Sequence, residues 1–124
     1  MTNQQHHVAV LGASPKPARY ANQTIRLLQQ LDYRITPVHP RFASIESLPV
    51  KPELSAIDEP VDTLTLYVGP TLLEPQTEAI VKLKPRRVIF NPGTESRKVQ
   101  QQLDDAGIDW IEACTLVMLK TDQF

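Results

Sequence analysis

Three of the chain's four glycines each follow an apolar run that reads as a strand: Gly12 after Val8-Ala9-Val10-Leu11, Gly69 after Leu64-Thr65-Leu66-Tyr67-Val68, and Gly93 after Val88-Ile89-Phe90-Asn91-Pro92. Glycine weakens regular structure and is useful where backbone turns sharply or a ligand comes close. Three strand-then-glycine junctions therefore predict one rim, at the carboxyl ends of parallel strands, kept low for something to bind. In open α/β sheets that rim is where ligands sit. The fourth glycine, Gly107, follows a helical pattern and is predicted to close it.

Apolar periodicity switches repeatedly between strand-like and helix-like stretches. Val8–Leu11 is continuous and β-branched, as expected for a first strand buried on both faces. Residues 20–31 then place Ala21, Ile25, Leu28 and Leu31 on one helix face. Residues 34–38 read as a second strand and residues 61–68 as a third. Thr71-Leu72-Leu73-Glu74 has the spacing of a capping box, opening a helix that uses Leu73, Ile80 and Leu83 and stops at Pro85. Residues 87–90 form a fourth predicted strand. Val99, Leu103 and Ala106 mark a helix ended by Gly107, and residues 108–111 a fifth strand. The apolar stretch 114–119 reads equally as a short helix or a turn.

Strands alternating with helices imply right-handed crossovers and an α/β fold: a doubly wound, five-stranded parallel sheet covered on both faces. The expected strand order is 3-2-1-4-5, with the switch point beside strand 1. The proline-rich stretch 41–60 is long for a connection. It is expected to cross the surface with an extended piece around Leu48-Pro49-Val50 and a helical turn near residues 53–57.

At 124 residues, the chain is expected to form one domain, residues 1–124, long enough to bury a core. Its 22% charged and 41% apolar content is that of a folded globular protein. No apolar stretch approaches the ~18 residues of a membrane span, and the N-terminus lacks a signal peptide's apolar core. The single cysteine, Cys114, excludes an internal disulfide and fits a reducing cytoplasm. The net charge of −1 conceals a basic N-terminal third, where Lys16, Arg19, Arg26, Arg34 and Arg41 face only Asp32. That imbalance points to an anionic ligand. Arg26 and Arg34 read as solvated helix decoration, whereas Lys16, Arg19 and Arg41 are better placed. The basic groups are few and lack interleaved aromatics, which argues against nucleic acid.

The segment Gly12-Ala13-Ser14-Pro15-Lys16-Pro17-Ala18-Arg19-Tyr20 leaves a buried strand and opens a helix, so backbone N–H groups and the positive end of the helix dipole face the rim. Only Gly12 matches the dinucleotide fingerprint. Two prolines remove donors, while Ser14, Lys16 and Arg19 add a hydroxyl and two cations, giving a phosphate site that relies on side chains. Strand 2 ends Pro37-Val38-His39-Pro40-Arg41, without the carboxylate that usually bonds the ribose of NAD. A histidine and an arginine suit a phosphorylated ribose instead, either the 2′-phosphate of NADP or the 3′-phosphate of coenzyme A. His39 reads equally as a structural histidine bonded to backbone. His6 and His7, in a polar terminus, are a poor metal pair and are consistent with a disordered end; no other cluster has metal-ligand spacing. Cys114 reads as a small buried hydrophobe rather than a nucleophile.

In this order and spacing, Val8-Ala9-Val10-Leu11-Gly12-Ala13-Ser14-Pro15, then Arg19-Tyr20, then Pro37-Val38-His39-Pro40 resemble the small bacterial CoA-binding domain proteins. These are related to the CoA-binding domain of the succinyl-CoA synthetase α subunit. Glu59-Pro60-Val61-Asp62 and Glu112-Ala113-Cys114-Thr115 extend the likeness over nearly the whole chain. The resemblance implies a Rossmann-like fold holding CoA or an acyl-CoA along the rim. The phosphates would lie near Gly12, Ala13, Ser14, Lys16, Arg19 and Tyr20, and the adenine near His39, Pro40 and Arg41. The pantetheine arm would follow Val68, Gly69 and Pro70, with Asn91 and Gly93 bordering the thiol end. Two departures stand out: His39 replaces the asparagine usual before that proline, and residues 91–95 replace a glutamine-containing segment.

These residues support a CoA-binding or sensing module without catalysis of its own. The alternatives are a small NADP-dependent oxidoreductase or a nucleotide-binding subunit of a larger enzyme. A homodimer or a protein partner is compatible with each.

Overall fold

A computed structural model describes residues 3–124. The five-stranded parallel sheet consists of β1 (Asn3–Leu11), β2 (Tyr33–Val38), β5 (Thr63–Leu66), β6 (Arg87–Phe90) and β7 (Asp109–Glu112). Two short antiparallel strands, β3 (Ser44–Ile45) and β4 (Leu48–Pro49), form a separate hairpin. The helices are α1 (Tyr20–Gln30), α2 (Pro70–Leu73), α3 (Thr77–Leu83), α4 (Arg97–Asp105) and α5 (Thr115–Lys120), with 3-10 turns at Leu54–Ala56 and Glu74–Gln76. The α/β class and parallel sheet are those expected, and the apolar tail forms α5.

The strand order differs from the expected 3-2-1-4-5. It is β2-β1-β5-β6-β7, so the third long strand lies inside the sheet, between the first and the fourth. All four residues of β5 are buried, which requires neighbours on both edges and cover on both faces. Strand β2 is suited to the edge. Its Pro37 carbonyl points outward, accepting the Lys51 N–H at 3.0 Å. In a parallel strand the N and O of one residue point the same way, so the missing N–H of Pro37 also lies on the outer side and costs no ladder bond with β1. A third strand paired outside β2 would have met that gap. The chain leaves β1 one way through α1 and returns the other way to β5, which makes the β1/β5 boundary the switch point.

One face packs Val8, Val10, Ile25, Leu28 and Leu119 between the sheet and α1 and α5. The other packs Ala9, Leu11, Leu64, Leu66, Val88 and Phe90 against Leu73, Ile80, Val99 and Leu103 of α2, α3 and α4. Leu54 joins this second core, so the 3-10 turn at Leu54–Ala56 takes the place of a crossover helix.

Helix α2 opens on Pro70, whose fixed φ suits a first helical position. Gly69 is its N-cap, with no side-chain capping bond, so the expected Thr71–Glu74 capping box does not form. Glu74 instead accepts from the Ser96 hydroxyl at 2.9 Å, and Ser96 in turn caps α4 by accepting from the Val99 N–H. Gly107 ends α4 at φ +72, as expected.

Strand β1 begins at Asn3, so His6 and His7 belong to the sheet and not to a disordered end. His7 is buried; its Nδ1 is 2.7 Å from the Pro60 carbonyl and its Nε2 2.7 Å from Thr36 Oγ1. His6 stacks on Phe124 and meets Tyr33 edge-on, and the Arg87 guanidinium lies 4.4 Å from the centre of the Phe124 ring. No helix among the described residues is long and apolar enough to cross a membrane.

Candidate functional site

Gly12 leaves β1 at φ +86, and a Cβ there would stand 2.8 Å from Val68 Cγ1 and 3.0 Å from the Tyr67 carbonyl. The glycine is therefore required by the left-handed turn and by the close passage of the segment after β5. The N–H groups of Gly12 and Ala13 both donate to the Val38 carbonyl, at 3.2 and 3.3 Å, so neither is available to a ligand. Farther on, Ser14 Oγ accepts the Lys16 N–H at 3.1 Å.

Helix α1 braces this loop from below. The fully buried Asn22 donates to the Ser14 carbonyl at 2.9 Å and accepts from Arg26 Nε at 2.8 Å. Arg26 Nη2 reaches the Pro17 carbonyl at 3.1 Å, so Arg26 is a strut of the loop and not surface decoration. Arg34 likewise has a partner, pairing with Glu59 at 2.8 Å. The N-cap of α1 is Arg19, with no side-chain capping bond and no acid in the first turn. The first turn of that helix carries no acid of its own, and the Glu46 carboxylate from the β3–β4 turn accepts from Asn22 Nδ2 at 3.0 Å beside it. Among the described residues the ion pairs are Arg34–Glu59 and Arg86–Asp62, so Lys16, Arg19 and Arg41 have no carboxylate partner.

At the end of β2, the His39 N–H donates to the Lys51 carbonyl and Nδ1 accepts the Arg41 N–H, both at 3.0 Å. That contact fixes the neutral tautomer with its proton on Nε2. The ring packs 4.5 Å from Phe42. Burial, then the Arg41 charge, lowers the His39 pKa below its usual 6.5. Lys51 runs parallel beside Val38 and carries the chain on to Glu53, which reaches the same rim. The absence of a carboxylate holds for β2 itself but not for its surroundings. Sequence reasoning missed Glu53 because the connection that delivers it has no regular pattern.

These segments enclose a cleft of about 1150 Å³ over the β1/β5 switch point. Gly12, Ala13, Ser14, Lys16, Arg19 and Tyr20 line it, as do His39, Pro40, Arg41 and Val68. Phe42, Glu53, Leu54, Ser55, Leu72, Pro75, Gln76 and Ala79 complete walls that the sequence did not single out. Tyr20 and Leu72 line the cleft while 67% and 65% exposed, unusual for large apolar side chains. Gly69 and Pro70 lie just outside the lining, at the start of α2. Gly93 turns at φ +94 with nothing within 4 Å of its missing Cβ, and its N–H donates to Glu95.

Asn91 is buried beneath the rim with its amide fully engaged. Its nitrogen donates to Thr65 Oγ1 at 2.7 Å and to the Leu66 carbonyl at 2.8 Å, and its oxygen accepts the Thr115 N–H at 2.8 Å. Thr65 and Thr115 share a 2.8 Å hydroxyl contact, and Thr24 meets the Tyr67 hydroxyl at 2.6 Å. Burial raises the Tyr67 pKa above its usual 10.0. Cys114 is half-buried at the N-cap of α5. No group of three His, Cys, Asp or Glu side chains among the described residues could hold a metal ion.

A family model described as a CoA binding domain matches residues 6–120. An uncharacterized protein of known crystal structure is 36% identical with a TM-score of 0.89, the match covering 96% of this chain and 98% of that one. A Thermus thermophilus protein, cell-free ID.343, is 30% identical with a TM-score of 0.89, covering 96% and 90%. A hypothetical protein from Pyrococcus horikoshii is 27% identical with a TM-score of 0.87, covering 92% and 81%. No curated protein matches the chain.

Proposed function

Because the chain belongs to the CoA-binding domain family, we propose that the cleft at the β1/β5 switch point holds coenzyme A or an acyl-CoA, as a binding or sensing module without catalysis of its own. The observation that carries this reading is the mixed character of the cleft. It joins three cations without carboxylate partners, Lys16, Arg19 and Arg41, to the exposed apolar side chains of Tyr20 and Leu72. An anionic nucleotide joined to a neutral, flexible arm has the matching chemistry.

In this reading Lys16, Arg19 and the first turn of α1 neutralise the diphosphate. Arg41 and the Nε2–H of His39 contact the 3′-phosphate. The arm follows Val68 towards Gly69 and Pro70, with Gly93 near its thiol end, while Asn91 acts from below by holding β6 to β5 and α5. Charge-assisted hydrogen bonds contribute roughly 1.5–3 kcal/mol each. Loss of the 3′-phosphate should therefore weaken binding by about tenfold or more.

Calorimetric titration with CoA, dephospho-CoA and NADP tests this. The expected result is tight binding of CoA and a clear loss for dephospho-CoA. Binding of NADP alone would replace the CoA reading with that of a reductase, and equal affinity for CoA and dephospho-CoA would remove His39 and Arg41 from the phosphate contact.

A further inference from the structure

Resting on that CoA reading, we propose that Glu53 determines base specificity in this cleft, accepting a hydrogen bond from the 6-amino group of adenine and disfavouring a 6-oxo purine. Four observations converge on it. First, the bridge between Val38 and Lys51 brings Glu53 beside the end of β2, next to the turn that holds His39, Arg41 and Phe42. Second, the Ser55 hydroxyl donates to Glu53 Oε1 at 2.7 Å. One carboxylate oxygen is thereby pinned and Oε2 is left to accept.

Third, this end of the cleft has apolar walls, formed by Leu54, Pro75 and Ala79. The same three residues also line an adjoining cavity of about 440 Å³, whose far side adds Glu78 and Lys82. An apolar wall of this kind suits the face of a planar base. Fourth, the other long hydrogen-bonding side chain at this end, Gln76, has its amide nitrogen engaged by the Leu72 carbonyl at 3.0 Å. Gln76 keeps a neutral amide oxygen, whereas Glu53 brings the carboxylate of this cleft, and a charged acceptor makes the stronger hydrogen bond with a donor on the edge of the base.

The selection follows from the chemistry of the carboxylate, which accepts hydrogen bonds and donates none. Adenine presents a 6-amino donor to it. Hypoxanthine and guanine present a carbonyl oxygen at the same position, and two acceptors then face each other. A 6-oxo analogue forfeits that charge-assisted hydrogen bond and sets two acceptors against each other.

The test titrates wild type and Glu53→Gln with CoA and with CoA whose adenine has been deaminated to hypoxanthine. Wild type is expected to bind CoA at least ~10-fold tighter than the deaminated ligand, the lower end for a hydrogen bond to a charged group. In Glu53→Gln the side-chain amide can donate to the 6-oxo group, and the ratio should shrink to within about threefold. Because Glu53 is exposed, the variant should melt with the wild type, which a thermal scan checks. An equal ratio in both proteins, or a wild type indifferent to deamination, overturns the proposal while leaving the CoA reading intact. A wild type that binds neither ligand overturns both.

Discussion

Gly12 is the position where one missing methyl group decides the local structure. Alanine there would adopt a left-handed conformation that costs roughly 1–2 kcal/mol by itself. Its Cβ would also stand 2.8 Å from Val68 Cγ1 and 3.0 Å from the Tyr67 backbone, which has little room to retreat. Gly12→Ala should therefore lower the urea midpoint by more than the left-handed conformation alone explains. An unchanged midpoint would show that the turn can relax. The sequence marked Gly12 as a place where the backbone turns sharply or a ligand comes close, and the sharp turn is there at φ +86. The neighbouring strand end makes the close approach, and no local pattern around Gly12 reports which strand that is.

Between elements, the connections are made by buried polar groups rather than by apolar contact alone. Asn91 joins the ends of β5 and β6 to the first residue of α5 through three hydrogen bonds. Asn91→Ala would leave the Thr115 N–H and the Leu66 carbonyl buried without these partners, at ~1–3 kcal/mol for each unsatisfied group. The expected loss is roughly 2–4 kcal/mol in chemical denaturation. A loss below about 1 kcal/mol would mean that other groups substitute for the amide. In the structure Asn91 bonds Thr65 and Thr115, on the face opposite the Phe90 core. What covers that face is α5, which the sequence left undecided between helix and turn. The same limit hid the His6 cluster, since Phe124 lies at the far end of the chain and no spacing rule connects the two. Elements with strong periodicity were legible; contacts between distant segments were not.

Across the whole molecule, the strand order shows how far periodicity alone can reach. Strand-helix alternation is the same in the orders 3-2-1-4-5 and 2-1-3-4-5, so the pattern could not separate them. Pro37 carried the missing information, because a proline in the second strand argues against a further partner on its outer edge. The pH response of the fold also belongs to this scale. Burial, followed by the Arg87 charge, lowers the pKa of His6 below 6.5, and burial followed by Arg41 does the same for His39. The unfolded chain therefore binds more protons just below pH 6.5, and stability falls as the pH drops through that window. Asp62, whose pKa is held below 3.8 chiefly by the His7 N–H, adds a second loss at lower pH as it protonates. Urea titrations should give a flat stability above about pH 7 and a decline towards pH 5, shallower in His6→Gln. Stability that rises on acidification through this range would contradict the assigned shifts.

One carbonyl oxygen, that of Val38, receives both the Gly12 and the Ala13 N–H. The loop that carries Lys16 and Arg19 is thus fastened at its base to the turn that carries His39 and Arg41, and neither can slide along the sheet without the other. The two groups of cations stand like the jaws of a caliper locked at one setting. An anion that spanned them would be gauged first by the distance between its own charges.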